Sequence, residues 1–167
     1  MKLLLPILTV LFLCSCGQTP LEYNDSIIDE QNKITEFMLE SGNCLDSDFS
    51  SCDALRMKTI TQCNTSISIV EAMPGYEGNT RLRDAAMALF IFYKEMNESE
   101  FKDMIEIIMK GDAITEEDIA MLTVLEEQVS LKEALLDEEL DQAQQEFARD
   151  FGFDIGVNEM QEEIDNM

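Results

Sequence analysis

Apolar residues recur at spacings of three and four along most of this chain, which is the period of an amphipathic helix. Four segments carry the pattern, at about residues 21–41, 51–73, 80–110 and 115–150. No segment alternates with period two over a useful length, so strands are not expected. The pattern predicts an all-α protein that folds as an antiparallel up-down four-helix bundle, with a long last helix and a short C-terminal hook.

Local signals predict where these helices begin and end. Gly42-Asn43 is expected to end the first helix as a C-cap, and Ser51 is expected to begin the second as an N-cap. Residues 97–100 interrupt the apolar stripe of the third segment, which predicts a kink or a short break. Thr115 is expected to begin the last helix with a near capping box.

Residues 1–15 have the features of an export signal. Lys2 precedes an apolar run over 3–13, which would span about 16 Å as a helix. A membrane crossing needs about 30 Å, so a secretory signal is favoured. The run ends with an aliphatic residue, two small residues and Cys16, the order typical of bacterial lipoprotein cleavage sites. We expect cleavage after residue 15 and lipidation of Cys16; an ordinary signal peptide with incidental cysteines is the alternative.

The predicted lipid would determine where the mature chain resides. A diacylglyceryl group on Cys16 and an acylated new amino terminus would anchor the mature chain stably, because several acyl chains bind a membrane firmly whereas one chain binds it only weakly. Residues 16–20 would form a tether, 21–155 the bundle and 156–167 an acidic tail. Gly17 is not the aspartate associated with inner-membrane retention in enteric bacteria, so the outer membrane is favoured. A periplasmic and a surface location both stay open.

The charge of the chain limits the kinds of partner that it can bind. It has 35 acidic and 11 basic residues and a net charge of −24. Nucleic-acid phosphates would repel it, so nucleic-acid binding is not expected. Anionic lipid headgroups would repel it as well, so the predicted lipid must supply the attachment. Because 46% of its residues are hydrophobic, the chain is not a disordered acidic tail.

The chain has no histidine, and this excludes several kinds of site. Histidine-ligated di-iron, haem and zinc centres cannot form, and neither can a nucleophile paired with histidine. The run Asp46-x-Asp48-x-Ser50 resembles the start of a calcium loop, but Ser51 and Met57 replace its glycine and bidentate glutamate. We therefore expect a non-enzymatic protein with no metal site and no cofactor.

Three cysteines remain once Cys14 and Cys16 are assigned to the export signal. The exported compartment permits disulfides. Cys44 and Cys52 bracket a polar connection, and a disulfide between them would clamp it; free thiols are the alternative. Cys63 is expected to pack as a small apolar group, with an intermolecular bridge as a lesser alternative.

Several short motifs resemble a family of small exported lipoproteins of Bacteroidota and spirochaetes. They are Tyr23-Asn24-Asp25, Glu30-Gln31-Asn32-Lys33-Ile34, Leu82-Arg83-Asp84-Ala85-Ala86, Phe92-Tyr93-Lys94 and Phe147-Ala148. The resemblance extends over about residues 21–155. It implies a four-helix bundle behind a lipidated cysteine and implies no enzymatic activity.

Asn24, Gln31 and Tyr93 are the polar residues on the apolar stripes of the first and third segments. They could form one layer of the bundle, either as a ligand contact or as a structural polar layer that fixes register. The structural role is favoured.

Two functions follow as hypotheses. The first is a lipid-anchored interaction or structural module of the cell envelope, with an envelope protein as its partner; its oligomeric state stays open. The alternative is a small-ligand or cation-binding lipoprotein with a site in the bundle core. Ligand binding predicts a solvent-reachable cavity lined by the polar set, whereas interaction predicts a filled core and an apolar patch outside.

Overall fold

The computed structural model describes residues 17–47 and 49–156, which are almost entirely helical. The helices are α1 (Pro20–Ser47), α2 (Phe49–Glu71), α3 (Arg81–Glu98), α4 (Glu100–Ile108) and α5 (Glu116–Phe151), with a 3-10 turn at Gly111–Ala113. The all-α prediction is confirmed for these residues. The predicted signal at 1–15, Cys16 and the tail over 157–167 lie outside the described residues.

The first and last helices begin with the same capping chemistry. Thr19 precedes Pro20, and its hydroxyl accepts a bond from the Glu22 amide at 3.2 Å while the Glu22 carboxylate accepts from the Thr19 amide at 2.7 Å. Proline suits the first helical position because its missing N–H would have no helical partner there. Thr115 and Asp118 form the equivalent reciprocal pair at α5. The carboxylate in each box thus satisfies an otherwise unpaired donor.

The expected boundary between the first two helices was wrong. Helix α1 continues through Gly42 to Ser47, and α2 begins at Phe49 rather than after Ser51. The region around Gly42 is held by tertiary contacts, since the hydroxyls of Ser41 and Thr59 lie 3.1 Å apart across the two helices. Such contacts outweigh the cost of about 1 kcal/mol of a helical glycine.

A break does occur in the third segment, at Ser99 between α3 and α4. Its stabilising group is the buried guanidinium of Arg56, which donates to the Asn97 main-chain carbonyl at 2.8 Å and also pairs with Asp53. The Asn97 side chain donates to the Tyr93 carbonyl at 2.8 Å. A cation is favourable where carbonyls at a helix end lack partners, so Arg56 stabilises the end of α3.

Contacts within two pairs of helices, α1 with α2 and α3 with α5, step in opposite directions along the two members of each pair. Between α1 and α2 the linked residues are Cys44 with Cys52, Ser41 with Thr59, and Glu30 with Ser66. Between α3 and α5 they are Glu95 with Lys132 and Arg81 with Glu146. Helix α5 has 36 residues whereas α3 has 18, so its first half extends past α3 and lies beside α4.

The core of this helical bundle is filled with large side chains. Its fully buried members include Ile27, Ile34, Leu89, Phe90 and Phe147. An aromatic group closes the end where α1 begins and α5 finishes, and it consists of Tyr23, Tyr76, Phe147, Phe151 and Phe153. Gly152 ends α5 with φ of 71°, a left-handed conformation that glycine adopts without strain.

No helix in the described part of the chain is both long enough and apolar enough to cross a bilayer.

Candidate functional site

The polar residues predicted to share a layer lie at different levels of the bundle. Asn24 is buried, and its amide oxygen accepts a bond from Gln144 of α5 at 3.0 Å. Tyr93 is also buried, and its hydroxyl is hydrogen-bonded to the carboxylate of Glu133. Because Gln144 and Glu133 are eleven positions apart on one helix, these contacts are separated by about 16 Å. The structure therefore does not bring Asn24 and Tyr93 together.

Gln31 takes part in neither the hydrogen bond of Asn24 nor that of Tyr93. It is half-buried, and its main-chain carbonyl accepts a bond from the Thr35 hydroxyl at 3.1 Å. The neighbouring Glu30 is more deeply buried, and its carboxylate accepts from Ser66 at 2.7 Å and from Lys33 at 2.6 Å. Sequence reasoning missed Glu30 and Arg56, because a charged residue beside an apolar stripe has no pattern that marks it as buried.

Tyr93 lies in an acidic and poorly solvated environment. Burial raises the pKa of its hydroxyl, and the nearby carboxylates of Glu133 and Asp137 raise it further. Burial raises the pKa of Glu133 as well, with a contribution from the negative charge of Asp137. Asp137 remains solvent-accessible, although partial desolvation raises its own pKa. The group can hold a proton, but it presents no activated nucleophile.

The cysteines occupy two separate places. Cys44 and Cys52 are joined by a disulfide with their Cα atoms 5.4 Å apart, and they pack with Ile105 in a small second core cluster. Cys63 is a free, fully buried thiol in the main core. Burial raises the pKa of Cys63 to about 12, so it stays protonated at neutral pH and is inert as a nucleophile.

An open groove lies where the start of α3 meets the second half of α5. Its volume is about 800 Å³, and its lining includes Arg81, Asp84, Glu139, Gln142 and the small residues Ala85 and Ala88. None of Asn24, Gln31 and Tyr93 lines it. The predicted polar set and this groove are therefore distinct features of the molecule.

Within residues 17–47 and 49–156, no three acidic, cysteine or histidine side chains come together in a way that could hold a metal ion. The side chains of Asp46, Asp48 and Ser50, which resemble the start of a calcium loop, are not among those described.

A row of exposed apolar side chains lies on α5 between residues 121 and 135. Its members are Met121, Val124, Leu131 and Leu135, which are 51%, 46%, 70% and 64% exposed. Gln128, also exposed, occupies the gap in the row. We call these five residues the α5 strip. Single exposed apolar residues are ordinary, but four of them aligned on one helix face are typical of an interaction surface.

The α5 strip is separate from the face that packs on the bundle. The packed face includes the half-buried Val129 and Leu136 and the buried Leu140, Ala143 and Phe147. At about 100° of rotation per residue, the strip is centred roughly 120° around the helix from that face. Spacings of three and four between its members were visible in the sequence, but the packed stripe shows the same spacings and only packing distinguishes the two.

The chain matches no protein-family model, no curated protein and no solved structure. The resemblance to small exported lipoproteins therefore remains a prediction that rests on the quoted motifs.

Proposed function

We propose that this protein is a non-enzymatic interaction module of the bacterial cell envelope, anchored by a lipid on Cys16. The observation that carries the proposal is the α5 strip, an apolar row facing solvent on a bundle whose core is already filled. Burying such side chains against a partner is favourable by about 1.5–3 kcal/mol each, because apolar surface leaves water. The charge of this acidic protein keeps it soluble, and exposed apolar side chains do not add to that solubility. We therefore assign the exposed row a role in binding.

In the proposed architecture, the lipid anchor and the α5 strip lie at different heights along the axis of the bundle. Helix α1 begins only a few residues after Cys16, and Tyr23 contacts Phe147 with ring centroids 5.5 Å apart. Leu135 and Met121 precede Phe147 by 12 and 26 positions on α5, which places the strip about 18–39 Å from that level. A lipid on Cys16 would therefore hold the aromatic end near the bilayer and present the strip away from it.

The proposed architecture is an antiparallel up-down four-helix bundle in which α3 and α4 form one interrupted helix. The opposite stepping of the contacts between successive helices supports it. Residues after Gly152 would form a short hook, supported by the bond from the Phe153 amide to the Ala148 carbonyl at 3.1 Å. Anchoring at the outer membrane is favoured by Gly17, as argued from the sequence.

Two variants test the two parts of the proposal. Cys16→Ser should move the protein from the membrane fraction to the soluble fraction, and continued membrane fractionation would exclude the lipid anchor.

The strip is tested with a photo-cross-linking amino acid placed at Leu131 in the full chain, expressed in its own cell envelope. Ile69, which is 44% exposed on α2, is the matched control. We expect protein adducts from position 131 and far fewer from position 69. Equal or absent adducts at both positions would exclude the strip as the interaction surface.

A further inference from the structure

The spacing within the α5 strip identifies the kind of partner that fits it. Met121, Val124, Gln128, Leu131 and Leu135 follow one another at intervals of three, four, three and four. This is the a and d spacing of a heptad repeat, with Met121, Gln128 and Leu135 at a and Val124 and Leu131 at d. Such a seam packs best against a second helix that carries the same repeat.

The charges beside the seam select the orientation of that second helix. In the heptad frame Glu127 is at a g position and Lys132 at the following e position. A parallel pair places each g residue opposite the next e residue of its partner, whereas an antiparallel pair places g opposite g and e opposite e. A parallel pair of identical α5 helices would therefore bring Glu127 of each copy to Lys132 of the other.

The other flanking positions agree with a parallel pair. Ala120 would meet Leu125, and Ala134 would meet Glu139, so no like charges would face each other. Lys132 is available for a new partner, because its side chain is 57% exposed and its present contact with Glu95 is 3.9 Å long. The ammonium group of Lys132 also lies 5.0 Å from the Phe92 ring centroid, and the Lys132 side chain is exposed despite this contact.

Gln128 at a central a position has the expected effect of a polar residue in a coiled-coil seam. Such a residue reduces stability but fixes register, since its amide is satisfied only by the same amide of the partner. A register shift of one heptad would place Gln128 against Met121 or Leu135 and would leave its amide unpaired.

We propose that the partner of the α5 strip is a second copy of this chain, paired in parallel and in register over residues 121–135. This inference rests on the proposed interaction role of the strip. The seam is short, and each copy carries a net charge of −24, so the dimer should be weak in dilute solution. Confinement to a membrane would raise the effective concentration of the copies, and a parallel pair places both Cys16 residues at the same end.

Cysteine cross-linking of the full chain in native membranes tests the pairing. Among the described cysteines, Cys44 is bonded to Cys52 and Cys63 is buried, so a new surface thiol is the one that reacts. Leu131→Cys should give a disulfide-linked dimer under mild oxidation, and the control Ile69→Cys should not. Dimer yields that are equal for the two variants, or absent for both, would overturn the second-copy pairing.

The relative orientation of the two α5 helices is tested separately. Tagged Val124→Cys coexpressed with Leu135→Cys would give mixed dimers if the helices were antiparallel, because these positions would then face each other. A parallel pair predicts little mixed product and strong dimers between identical positions. Predominant mixed dimers would overturn the parallel arrangement.

Charge exchange tests the ion pairs by sedimentation of the full chain in detergent. Lys132→Glu should weaken the dimer about two- to fivefold, and Glu127→Lys combined with Lys132→Glu should restore it. Leu131→Glu should weaken it by about tenfold or more. Failure of the double exchange to restore the dimer would overturn the predicted pairing of Glu127 with Lys132.

These results separate the inference from the proposed function. Adducts from position 131 that contain a different protein, together with no dimer of Leu131→Cys, would leave the interaction role intact and overturn the second-copy partner. Absence of adducts and of dimers would overturn both.

Discussion

Two faces of α5 carry apolar residues at the same spacing but have opposite environments. One face buries Leu140, Ala143 and Phe147 against the bundle, whereas the α5 strip leaves Leu131 and Leu135 in solvent. The difference arises from direction around the helix, since the strip is centred roughly 120° from the face that packs on the bundle. Apolar residues on the strip are not buried within the molecule, which is why we propose that they act between molecules.

The largest expected difference comes from shortening one side chain on each face of α5. Phe147→Ala should destabilise the protein by about 3–5 kcal/mol, because it leaves a cavity in the aromatic end. Leu135→Ala should change the stability of the monomer by less than about 0.5 kcal/mol, because its side chain is already solvated. Thermal unfolding followed by circular dichroism measures both. Similar losses for the two variants would show that the α5 strip is packed after all.

Removing the disulfide tests whether it stabilises the end of the bundle opposite the aromatic group. Cys44→Ser combined with Cys52→Ser should cost about 2–3 kcal/mol, the loss expected from opening a loop with a sequence separation of 8. Because the disulfide packs with Ile105, hydrogen exchange should become faster in α4 while the aromatic end stays protected. Uniform acceleration across the molecule would instead indicate that both ends unfold together.

The smallest expected effect lies at Tyr93, whose hydroxyl is hydrogen-bonded to Glu133 and lies within the electrostatic influence of Asp137. Both carboxyl pKa values are raised in the fold, so the native state binds these protons more tightly than the unfolded chain does. This contribution to stability is complete below their ordinary pKa values and is lost as the pH rises through the raised ones. This pair should therefore give a higher unfolding temperature at about pH 4 than at neutral pH.

Glu133→Gln should reduce that pH dependence and stabilise the protein at neutral pH by about 0.2–0.5 kcal/mol, because it removes a like-charge pair one helical turn apart. The exposed Glu126→Gln on the same helix is the control for loss of a negative charge from a protein of net charge −24. Equal effects from the two variants would assign the pH dependence to general repulsion and not to the contact with Tyr93.

The sequence was sufficient to predict the helices but not all of their ends. Three-and-four spacing and the capping pair at Thr115 depend on residues close together in the chain, and the structure has both the predicted helices and this capping box. The end of α1 was wrong because Gly42 is kept helical by contacts between α1 and α2, which no local signal reports. Arg56 was missed for the same reason, since its carbonyl partner at Asn97 is 41 residues away.

The candidate site was harder to predict than the fold. Asn24 and Tyr93 are buried, but their partners Gln144 and Glu133 lie on α5, and the sequence does not determine which residues of α5 lie opposite them. The α5 strip was not distinguished from the packed stripe, because both show the same period. Only the packing of α5 against the other helices decides which apolar face remains in solvent.

The most direct test of the account is the accessibility of α5 in the intact membrane-bound protein. Single cysteines at Met121, Val124, Leu131 and Leu135, compared with Thr123 and Ser130 off the strip, can be labelled with a water-soluble maleimide in cells. The account predicts slow labelling at the four strip positions and fast labelling at the other two, and fast labelling at all six after dilution into detergent. Equal fast labelling at all six positions in the native membrane would contradict it, because the strip would then be uncovered where it is proposed to act.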